Sequence, residues 1–264
     1  MGKKITILGG GNLGTAIAEG LITSKFSKAA DLIVTKRNTA TLKALAEKRV
    51  EVSDNNAVAV KKGDIIILAV KPFQAADVLN GVKKELTAGK ILISVVTGVT
   101  IDDMQTVIKK PIPVFRAMPN TAIAIRESMT CIAHREAKPA DLQFVKELFA
   151  QLGKVALIDE KLMEAATILG ACGTAYAMRY IRANIQGGIE IGFDAATASL
   201  IAAQTVKGAA ELLLQKGTHP EQEIDKVTTP KGCTIAGLNE MEHQGFSSSL
   251  IRGIVASYKK IAKD

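Results

Sequence analysis

The N-terminal part of the chain places a glycine-rich turn between a strand pattern and a helix pattern. KITILG is a short apolar run and NLGTAIAEGLITS has helical spacing; between them Gly9, Gly11 and Gly14 fit G-x-G-x-x-G. The pattern is weak alone, but in this context it is typical of a dinucleotide-binding turn. Glycine lets the backbone approach a pyrophosphate at the positive end of the helix. We assign Gly9, Gly11, Asn12, Leu13 and Gly14 to a cofactor site; a purely structural turn is the alternative.

The same alternation of strand and helix patterns continues to about residue 158. DLIVTK precedes the helical pattern TATLKALAEK, and DIIILAV, KILISVV and IPVFRAM continue the strands, with LGKVALID expected to end the sheet. DIIILAV is apolar throughout, as expected of a strand buried on both faces. The alternation predicts βαβ units and a mostly parallel, doubly wound sheet of Rossmann type.

After residue 158 the apolar residues recur only at helical spacing. KLMEAATILGACGTAYAMRYIRANIQGGIEIGF, AATASLIAAQTVKGAAELLLQ and SSSLIRGIVASYKKIAK are the longest such patterns. We therefore predict an α/β protein of two domains, a nucleotide-binding Rossmann domain at residues 1–158 and an all-α domain at residues 159–264.

Composition and charge exclude several classes of protein. The early apolar run is broken by glycines and a glutamate and lacks a cleavage site, so neither a signal peptide nor a membrane span is predicted, and a cytoplasmic location is expected. The three cysteines have no paired spacing, which argues against a disulfide framework and a zinc cluster, and no metal site is expected. The net charge of +8 is dispersed, without interleaved aromatic residues, so a solvated basic surface or attraction of small anions is favoured over nucleic-acid binding.

The residues after the second predicted strand indicate which cofactor binds. NAD sites usually place a carboxylate there for the ribose 2′-hydroxyl. This strand ends instead in VTKRN, where Thr35, Lys36 and Arg37 offer a hydroxyl and two cations to a 2′-phosphate. We predict NADPH, with NADH possible; an ordinary exposed basic turn is the alternative.

The carboxyl ends of two further strands complete the predicted cofactor site. Ligands bind at these ends in doubly wound sheets, so Ala69, Val70, Lys71 and Pro72 should border the cofactor. For Lys71 a positioning or helix-entry role is favoured over a catalytic one.

Two asparagines belong to the same predicted site. Asn56 is assigned to the cofactor, and Asn120, in the loop after IPVFRAM, is expected near the nicotinamide or substrate. The alternative for Asn120 is an Asx turn beside Pro119.

The sequence resembles the pyrroline-5-carboxylate reductase family along nearly its whole length. The resemblance rests, in order, on ILGGGNLG, LAVKP, RAMPNTA, GACGTAY, AAQTVKGAA and VTTPKGCTIAGL. It implies an NAD(P)H-dependent imine reductase that makes L-proline in the last step of proline biosynthesis. It also implies a C-terminal helical dimerisation domain, a homodimer or multimer of dimers, and an active site composed from both domains, usually with the helical part supplied by the partner subunit.

The resemblance further aligns residues 229–234, TPKGCT, with the loop that holds the substrate carboxylate in the family. Lys231 stands where the family has a glycine, and Lys226 replaces an asparagine that contacts ligand. On this basis Thr229, Gly232, Cys233, Thr234 and Lys226 are the expected substrate-binding residues. Smaller departures are Ala122, Cys172 and Thr174 in the RAMPNTA and GACGTAY motifs.

The chemistry of this loop suits a carboxylate beside a cyclic imine. A loop at the start of a helix offers unpaired N–H groups, Gly232 permits close approach, and Thr229 and Thr234 can donate hydrogen bonds. Thr234 is the candidate catalytic residue, as the donor to the imine nitrogen. A nucleophilic Cys233 is disfavoured because hydride transfer needs no thiolate. The alternative is a plain helix cap, with Thr229 as N-cap and Pro230 at the first helical position.

Two other functions remain open. One is a related two-domain reductase acting on an imine or a β-hydroxy acid, whose relatives use a lysine in the helical half; Lys161, Lys207 and Lys231 are candidates. The other is a nucleotide-binding paralogue without turnover, but such a protein would be expected to lose the carboxylate loop, and the hydroxyls and Gly232 are kept here.

Overall fold

The computed structural model describes residues 2–262 and divides into two compact units between Cys172 and Gly173. The first unit holds an eight-stranded sheet in the order β3-β2-β1-β4-β5-β6-β7-β8. The strands are β1 Ile5–Leu8, β2 Leu32–Thr35, β3 Glu51–Ser53, β4 Ile65–Leu68, β5 Ile91–Ser94, β6 Val114–Met118, β7 Ser128–Arg135 and β8 Gly153–Leu157. Only the β6–β7 pair among these is antiparallel.

Helices cover both faces of this sheet. In the first unit they are α1 Asn12–Thr23, α2 Lys43–Glu47, α3 Asn56–Lys62, α4 Ala75–Val82, α5 Ile101–Ile108, α6 Pro139–Ala150 and α7 Met163–Ala166. One apolar cluster joins one face of the sheet to α1, α2 and α6. A second cluster joins the other face to α3, α4 and α5. Every residue of β1, β2, β4 and β5 is buried, which is why these segments are apolar throughout and do not alternate.

The predicted doubly wound sheet is confirmed, and two strands were missed by the sequence patterns. β3 is only three residues long, at the edge of the sheet, and has no buried residue. β7 carries two exposed residues at its C-terminal end and a polar interior residue, Thr130, which break the apolar pattern. The single helix expected in TATLKALAEK is a 3₁₀ helix, Thr39–Leu42, followed by the short α2.

The end of the sheet and the end of the first compact unit fall at different residues. β8 ends at Leu157, next to the domain boundary proposed from the sequence at 158/159. The following residues still pack on the sheet, because Met163 is fully buried against Met118 and Ala133. A six-residue π-helix, Thr167–Cys172, then closes the first unit.

The second unit is entirely helical in its described part. Its helices are α8 Gly173–Glu190, α9 Ala195–Lys216, α10 Pro220–Lys226, α11 Cys233–His243 and α12 Phe246–Ala262. Tyr176 donates to Ser257 Oγ at 2.7 Å, and the rings of Tyr180 and Phe246 meet edge to face, so α8 packs against α12. No helix of the described chain is long and apolar enough to cross a bilayer.

Candidate active site

The strand order places a crevice at the carboxyl end of β1. β2 and β3 lie on one side of β1, and β4 and the later strands lie on the other. The connection from β1 to β2 and the connection from β4 to β5 therefore run in opposite directions, which is the arrangement at which doubly wound sheets bind ligands.

The glycine-rich turn fits a dinucleotide on structural grounds. The N–H groups of Gly9 and Gly10 both donate to the carbonyl of Thr35, at 3.2 and 2.7 Å, and so fold the turn back over β2. Gly9 has a φ of 114°, and a Cβ there would collide with the carbonyl of Ala69. A Cβ on Gly14 would collide with the carbonyl of Gly9, so this glycine serves close packing of α1 on β1.

The start of α1 is open to an anion. Gly11 is its N-cap and has no side-chain acceptor, and no acidic residue lies in the first turn. A Cβ built on Gly11 meets no atom within 4 Å, so the backbone here is accessible from the crevice. The unpaired N–H groups and the positive helix end suit a pyrophosphate. Gly9, Gly11, Asn12, Leu13 and Gly14 thus lie in one turn, as their spacing predicts.

The residues expected at a 2′-phosphate divide into two roles. Thr35 is 2% exposed, and its hydroxyl donates to Asn56 Oδ1 at 2.6 Å, so it orients Asn56 at the start of α3. Lys36 is half-buried and Arg37 is exposed. Among the described residues neither cation has an ion-pair partner. The positive charge is therefore available beside Asn56.

The end of β4 lies beside the glycine turn. Ala69 donates its N–H to the carbonyl of Leu8 at 2.8 Å, and Ala69 and Val70 are half-buried. Lys71 and Pro72 are exposed and begin a 3₁₀ helix, Pro72–Gln74, with Lys71 as N-cap. This placement agrees with the helix-entry role favoured for Lys71.

Asn120 forms hydrogen bonds from three of its polar groups. Its Oδ1 accepts from the N–H of Ala122 at 3.0 Å, its own N–H donates to Ser128 Oγ at 3.1 Å, and its Nδ2 donates to the carbonyl of Gly170 at 3.3 Å. The Asx turn considered from the sequence is therefore present. Contact with the nicotinamide stays a prediction, and the structure adds an anchoring role in the loop after β6.

The sequence patterns missed a charged residue in the core of this unit. Arg116 on β6 is 2% exposed and pairs with Glu160 and Glu164. The available signal was a single arginine in the otherwise apolar strand IPVFRAM. Its partners lie more than 40 positions later in the chain, so no local pattern could have identified them.

The helix that follows the predicted carboxylate loop begins later than the alternative helix cap would place it. Gly232, not Thr229, is the N-cap of α11, and Pro230 lies in the preceding turn, so the cap geometry considered from the sequence is wrong. The N–H of Gly232 donates to the carbonyl of Thr229 at 2.9 Å. A Cβ on Gly232 would lie 2.5 Å from Thr229 Oγ1, so glycine is needed here for the turn itself. The N-terminus of α11 has neither a side-chain cap nor an acidic residue in its first turn.

The two lysines of the loop region have different environments. Lys226 Nζ lies 2.6 Å from Glu223 Oε1, and this hydrogen bond is the main reason that the pKa of Glu223 is lowered; Thr218 contributes as well. Lys231 is exposed with a φ of 57° and has no ion-pair partner among the described residues. Thr234, the second residue of α11, is half-buried.

The loop gives no support to a thiolate mechanism. Cys233 is the first residue of α11 and His243 is the last. The helical rise places their backbones about 15 Å apart. The nitrogen Nδ1 of His219 accepts from the N–H of Glu221 at 3.3 Å and caps α10. His243 is thus not placed as the base that a nucleophilic cysteine requires, and the Nδ1 of His219 is occupied as a helix cap.

Known protein families match both units. The family model described as "Pyrroline-5-carboxylate reductase dimerisation" matches residues 160–264. The model described as "NADP oxidoreductase coenzyme F420-dependent" matches residues 4–98. The first match begins beside the sequence-derived domain boundary, and the second covers the glycine turn and the ends of β2 and β4.

Relatives that match nearly the whole of this chain are all named pyrroline-5-carboxylate reductase. Pyrroline-5-carboxylate reductase 1 of Dictyostelium discoideum is 48% identical over 98% of this chain and 49% of that protein, so the chain spans about half of that relative. Pyrroline-5-carboxylate reductase 2 of the same organism is 43% identical over 99% of this chain and 93% of its own length. The pyrroline-5-carboxylate reductase of Methanosarcina acetivorans is 34% identical over 98% of this chain and 96% of that protein.

Solved structures agree with these sequence matches. The pyrroline carboxylate reductase of Plasmodium falciparum with NADP bound has a TM-score of 0.87 at 27% identity, covering 98% of this chain and 97% of that one. A pyrroline-5-carboxylate reductase from Coxiella burnetii has a TM-score of 0.93 at 26% identity, covering 100% and 98% of the two chains.

Proposed function

The chain belongs to the pyrroline-5-carboxylate reductase family, and we propose that it reduces L-1-pyrroline-5-carboxylate to L-proline with NADPH. The observation that carries this proposal is similarity to named reductases along the whole chain, through both the glycine turn and the carboxylate loop. The reaction is an oxidoreduction at a carbon–nitrogen double bond and is the last step of proline biosynthesis.

The first unit supplies the cofactor site of this reaction. Gly9, Gly11 and Gly14 form the turn that would receive the pyrophosphate at the start of α1. Lys36 and Arg37 would face the 2′-phosphate, with Asn56 beside the ribose. NADPH supplies the hydride when it is bound. The protein binds the nicotinamide and the imine ring and orients them for hydride transfer.

The second unit supplies the substrate loop. The N–H groups at the start of α11 and the hydroxyl of Thr229 would hold the carboxylate of the substrate. Thr234 would donate to the imine nitrogen and so keep the ring oriented. Cys233 contributes only its backbone N–H, since a hydride transfer to an imine needs no thiolate.

A spectrophotometric assay tests this function. NADPH oxidation is followed by its near-ultraviolet absorbance with pyrroline-5-carboxylate, with NADH in parallel and with a β-hydroxy acid plus NADP⁺ as the competing reaction. We expect turnover with the imine and none with the β-hydroxy acid. Turnover with the hydroxy acid alone would assign the chain to the alternative reductase, and none with either would favour a binding protein.

We also propose that the chain works as a homodimer or a multimer of dimers. None of α8, α11 and α12 buries a residue within the described chain, and α9 buries only Ala198 and Ala202. Large apolar side chains are exposed along these helices, among them Met178, Leu200 and Ile251 at 62%, 71% and 60%. An apolar surface of this kind is typical of an interface between subunits. Sedimentation that finds an active monomer at micromolar concentration would refute the proposal.

The location of the enzyme is a further proposal. All three cysteines, Cys131, Cys172 and Cys233, are free thiols, as expected in a reducing compartment. Burial raises the pKa of the Cys131 thiol, which keeps it protonated and unreactive. We therefore propose that the enzyme is cytoplasmic, which localisation of a tagged full-length protein would test.

A further inference from the structure

One charged side chain is buried at the centre of the sheet. Arg116 on β6 is 2% exposed; its Nη1 lies 3.3 Å from Glu160 Oε1 and its Nη2 lies 3.1 Å from Glu164 Oε1. Its Nε is the buried side-chain nitrogen that has no hydrogen-bond partner among the described residues. Breaking a buried ion pair by removing one partner is strongly unfavourable. The guanidinium therefore holds both glutamates firmly.

Both glutamates belong to one stretch of chain, residues 160–172, here called the connecting segment. Glu160 also accepts from the N–H of Ile101 at 2.6 Å, at the first residue of α5. Met163 is fully buried against Met118 and Ala133. The first two turns of the connecting segment are thus fixed against β6 and the start of α5.

The connecting segment ends in the π-helix Thr167–Cys172. This π-helix meets residues 118–120, which are the end of β6 and the start of the loop after it and are here called the Asn120 loop. The carbonyl of Gly170 accepts from Asn120 Nδ2 at 3.3 Å. Thr167 Oγ1 donates to the carbonyl of Met163 at 2.8 Å, which couples the π-helix to the buried Met163. Single π turns are rare and frequently occur at functional sites.

The Asn120 loop also contacts the segment that follows β5. The hydroxyl of Thr97, after β5, lies 3.9 Å from Met118 Sδ. The Asn120 loop is therefore held between the carboxyl end of β5 and the connecting segment. Both lie at the edge of the sheet where the cofactor and substrate of a doubly wound reductase meet.

We propose that Arg116 and Glu164 are positioning residues of the reduction: their buried ion pair fixes the connecting segment, whose Gly170 carbonyl orients Asn120 and the loop toward the reacting rings. This inference rests on the proposed function. Hydride transfer is sensitive to such orientation, because a misplacement of about 1 Å can cost roughly a hundredfold in rate. Glu164 has no contact with the reacting atoms in this scheme and acts through Asn120.

The test uses Glu164→Ala, Glu164→Gln, Asn120→Ala and the double variant Glu164→Ala/Asn120→Ala in the full-length enzyme. We expect Glu164→Ala to lower kcat by roughly tenfold to a hundredfold while the Kd for NADPH stays unchanged. Glu164→Gln keeps an acceptor for Arg116 and should restore most of the lost kcat. The deuterium isotope effect on kcat, with deuterium at the transferred position of NADPH, should rise in Glu164→Ala because hydride transfer becomes slower.

The double variant separates positioning from general damage. If Glu164 acts through Asn120, the double variant should be no slower than Asn120→Ala alone. Glu47→Ala is the matched control, since it removes the exposed partner of Lys43 on α2, outside the ion pairs of Glu160 and Glu164, and should leave kcat unchanged.

Three results would overturn the inference. A Glu164→Ala enzyme that melts at a lower temperature but keeps the wild-type kcat and isotope effect would show that the ion pair is only structural. Additive losses in the double variant would show that Glu164 does not act through Asn120. A wild-type enzyme that fails to oxidise NADPH with pyrroline-5-carboxylate would overturn the proposed function, and this inference with it.

Discussion

Replacing Lys231 by glycine should stabilise the protein. Lys231 has a φ of 57° in the turn before α11, a conformation that glycine adopts freely and other residues adopt at a cost. The left-handed conformation costs an L-residue about 1–2 kcal/mol. Glycine also destabilises the folded state by about 0.4–1 kcal/mol, because it has more conformational freedom in the unfolded chain. The difference is a gain of about 1 kcal/mol, since the exposed lysine side chain loses no ion pair among the described residues.

Thermal unfolding at constant protein concentration measures this gain. A rise of about 2–4 °C in Tm is expected for a chain of this size. Lys109 is a matched case outside the loop, because it is also exposed, with a φ of 52° at the end of α5, so Lys109→Gly should behave alike. Lys28 has a φ of −73°, so Lys28→Gly should lower Tm slightly.

The sign of the Tm change in the three glycine variants tests this reasoning. If Lys231→Gly lowers Tm as Lys28→Gly does, relief of backbone strain does not outweigh the added freedom of the unfolded chain, and the reasoning fails. The KM for pyrroline-5-carboxylate, measured on the same protein, adds a functional reading. An unchanged KM means that the ammonium of Lys231 is not needed to hold the carboxylate, whereas a raised KM means that it contributes to binding.

Four other variants test the two predicted sites and one helix. Lys36→Asp should weaken NADPH binding and leave NADH binding almost unchanged, because a carboxylate repels the 2′-phosphate; a wild-type preference for NADH in fluorescence titrations would contradict the cation argument. Thr234→Ala loses a charge-assisted bond of about 1.5–3 kcal/mol, so kcat/KM should fall roughly tenfold to a hundredfold with unchanged NADPH affinity, and Cys233→Ser should be much milder. If Thr234→Ala keeps the wild-type kcat/KM, Thr234 does not form the proposed hydrogen bond with the substrate. Asp194 caps α9, and hydrogen bonds from Thr197 lower its pKa, so its stabilisation is present above the unfolded pKa of about 3.9 and is lost as pH falls through the folded value. Asp194→Asn should therefore melt below wild type at pH 7, and the two Tm values should converge below about pH 4; a constant difference would contradict this.

The sequence predicts those parts of the molecule in which a short stretch of chain is limited by its own backbone sterics or burial. The turn at Gly9–Gly14 was predictable because backbone collisions at Gly9 and Gly14 leave no other residue type, and β4 because burial on both faces demands an apolar run. β3 was not predictable, since an exposed edge strand of three residues needs no apolar pattern. The domain plan followed from the change from alternating patterns to purely helical ones.

Features that depend on one particular hydrogen bond could not be predicted. Asn120 was expected near the nicotinamide, yet its bond to Gly170 joins residues 50 positions apart. A start of α11 just after Thr229 was the alternative considered, because Thr-Pro is a good cap sequence, but the turn closed by Gly232 onto Thr229 places the helix start at Cys233. In neither case does the sequence pattern encode the hydrogen bond that fixes the geometry.

The two predicted anion sites share a design that differs from that of the helices capped by a side chain. α5, α9 and α10 each have a side-chain acceptor at the N-cap, so their first N–H groups are satisfied within the protein. α1 and α11 have glycine N-caps, Gly11 and Gly232, with no side-chain acceptor and no acidic residue in the first turn. With glycine at the N-cap, leaving these donors unpaired sacrifices only roughly a few tenths of a kcal/mol of helix stability at each end. A reductase that must hold a diphosphate and a carboxylate recovers that loss on binding, because the ligand becomes the missing acceptor. It follows that NADPH and the substrate should each raise Tm, and that Gly11→Ser, which adds an acceptor at the start of α1, should weaken NADPH binding while leaving the unliganded fold intact.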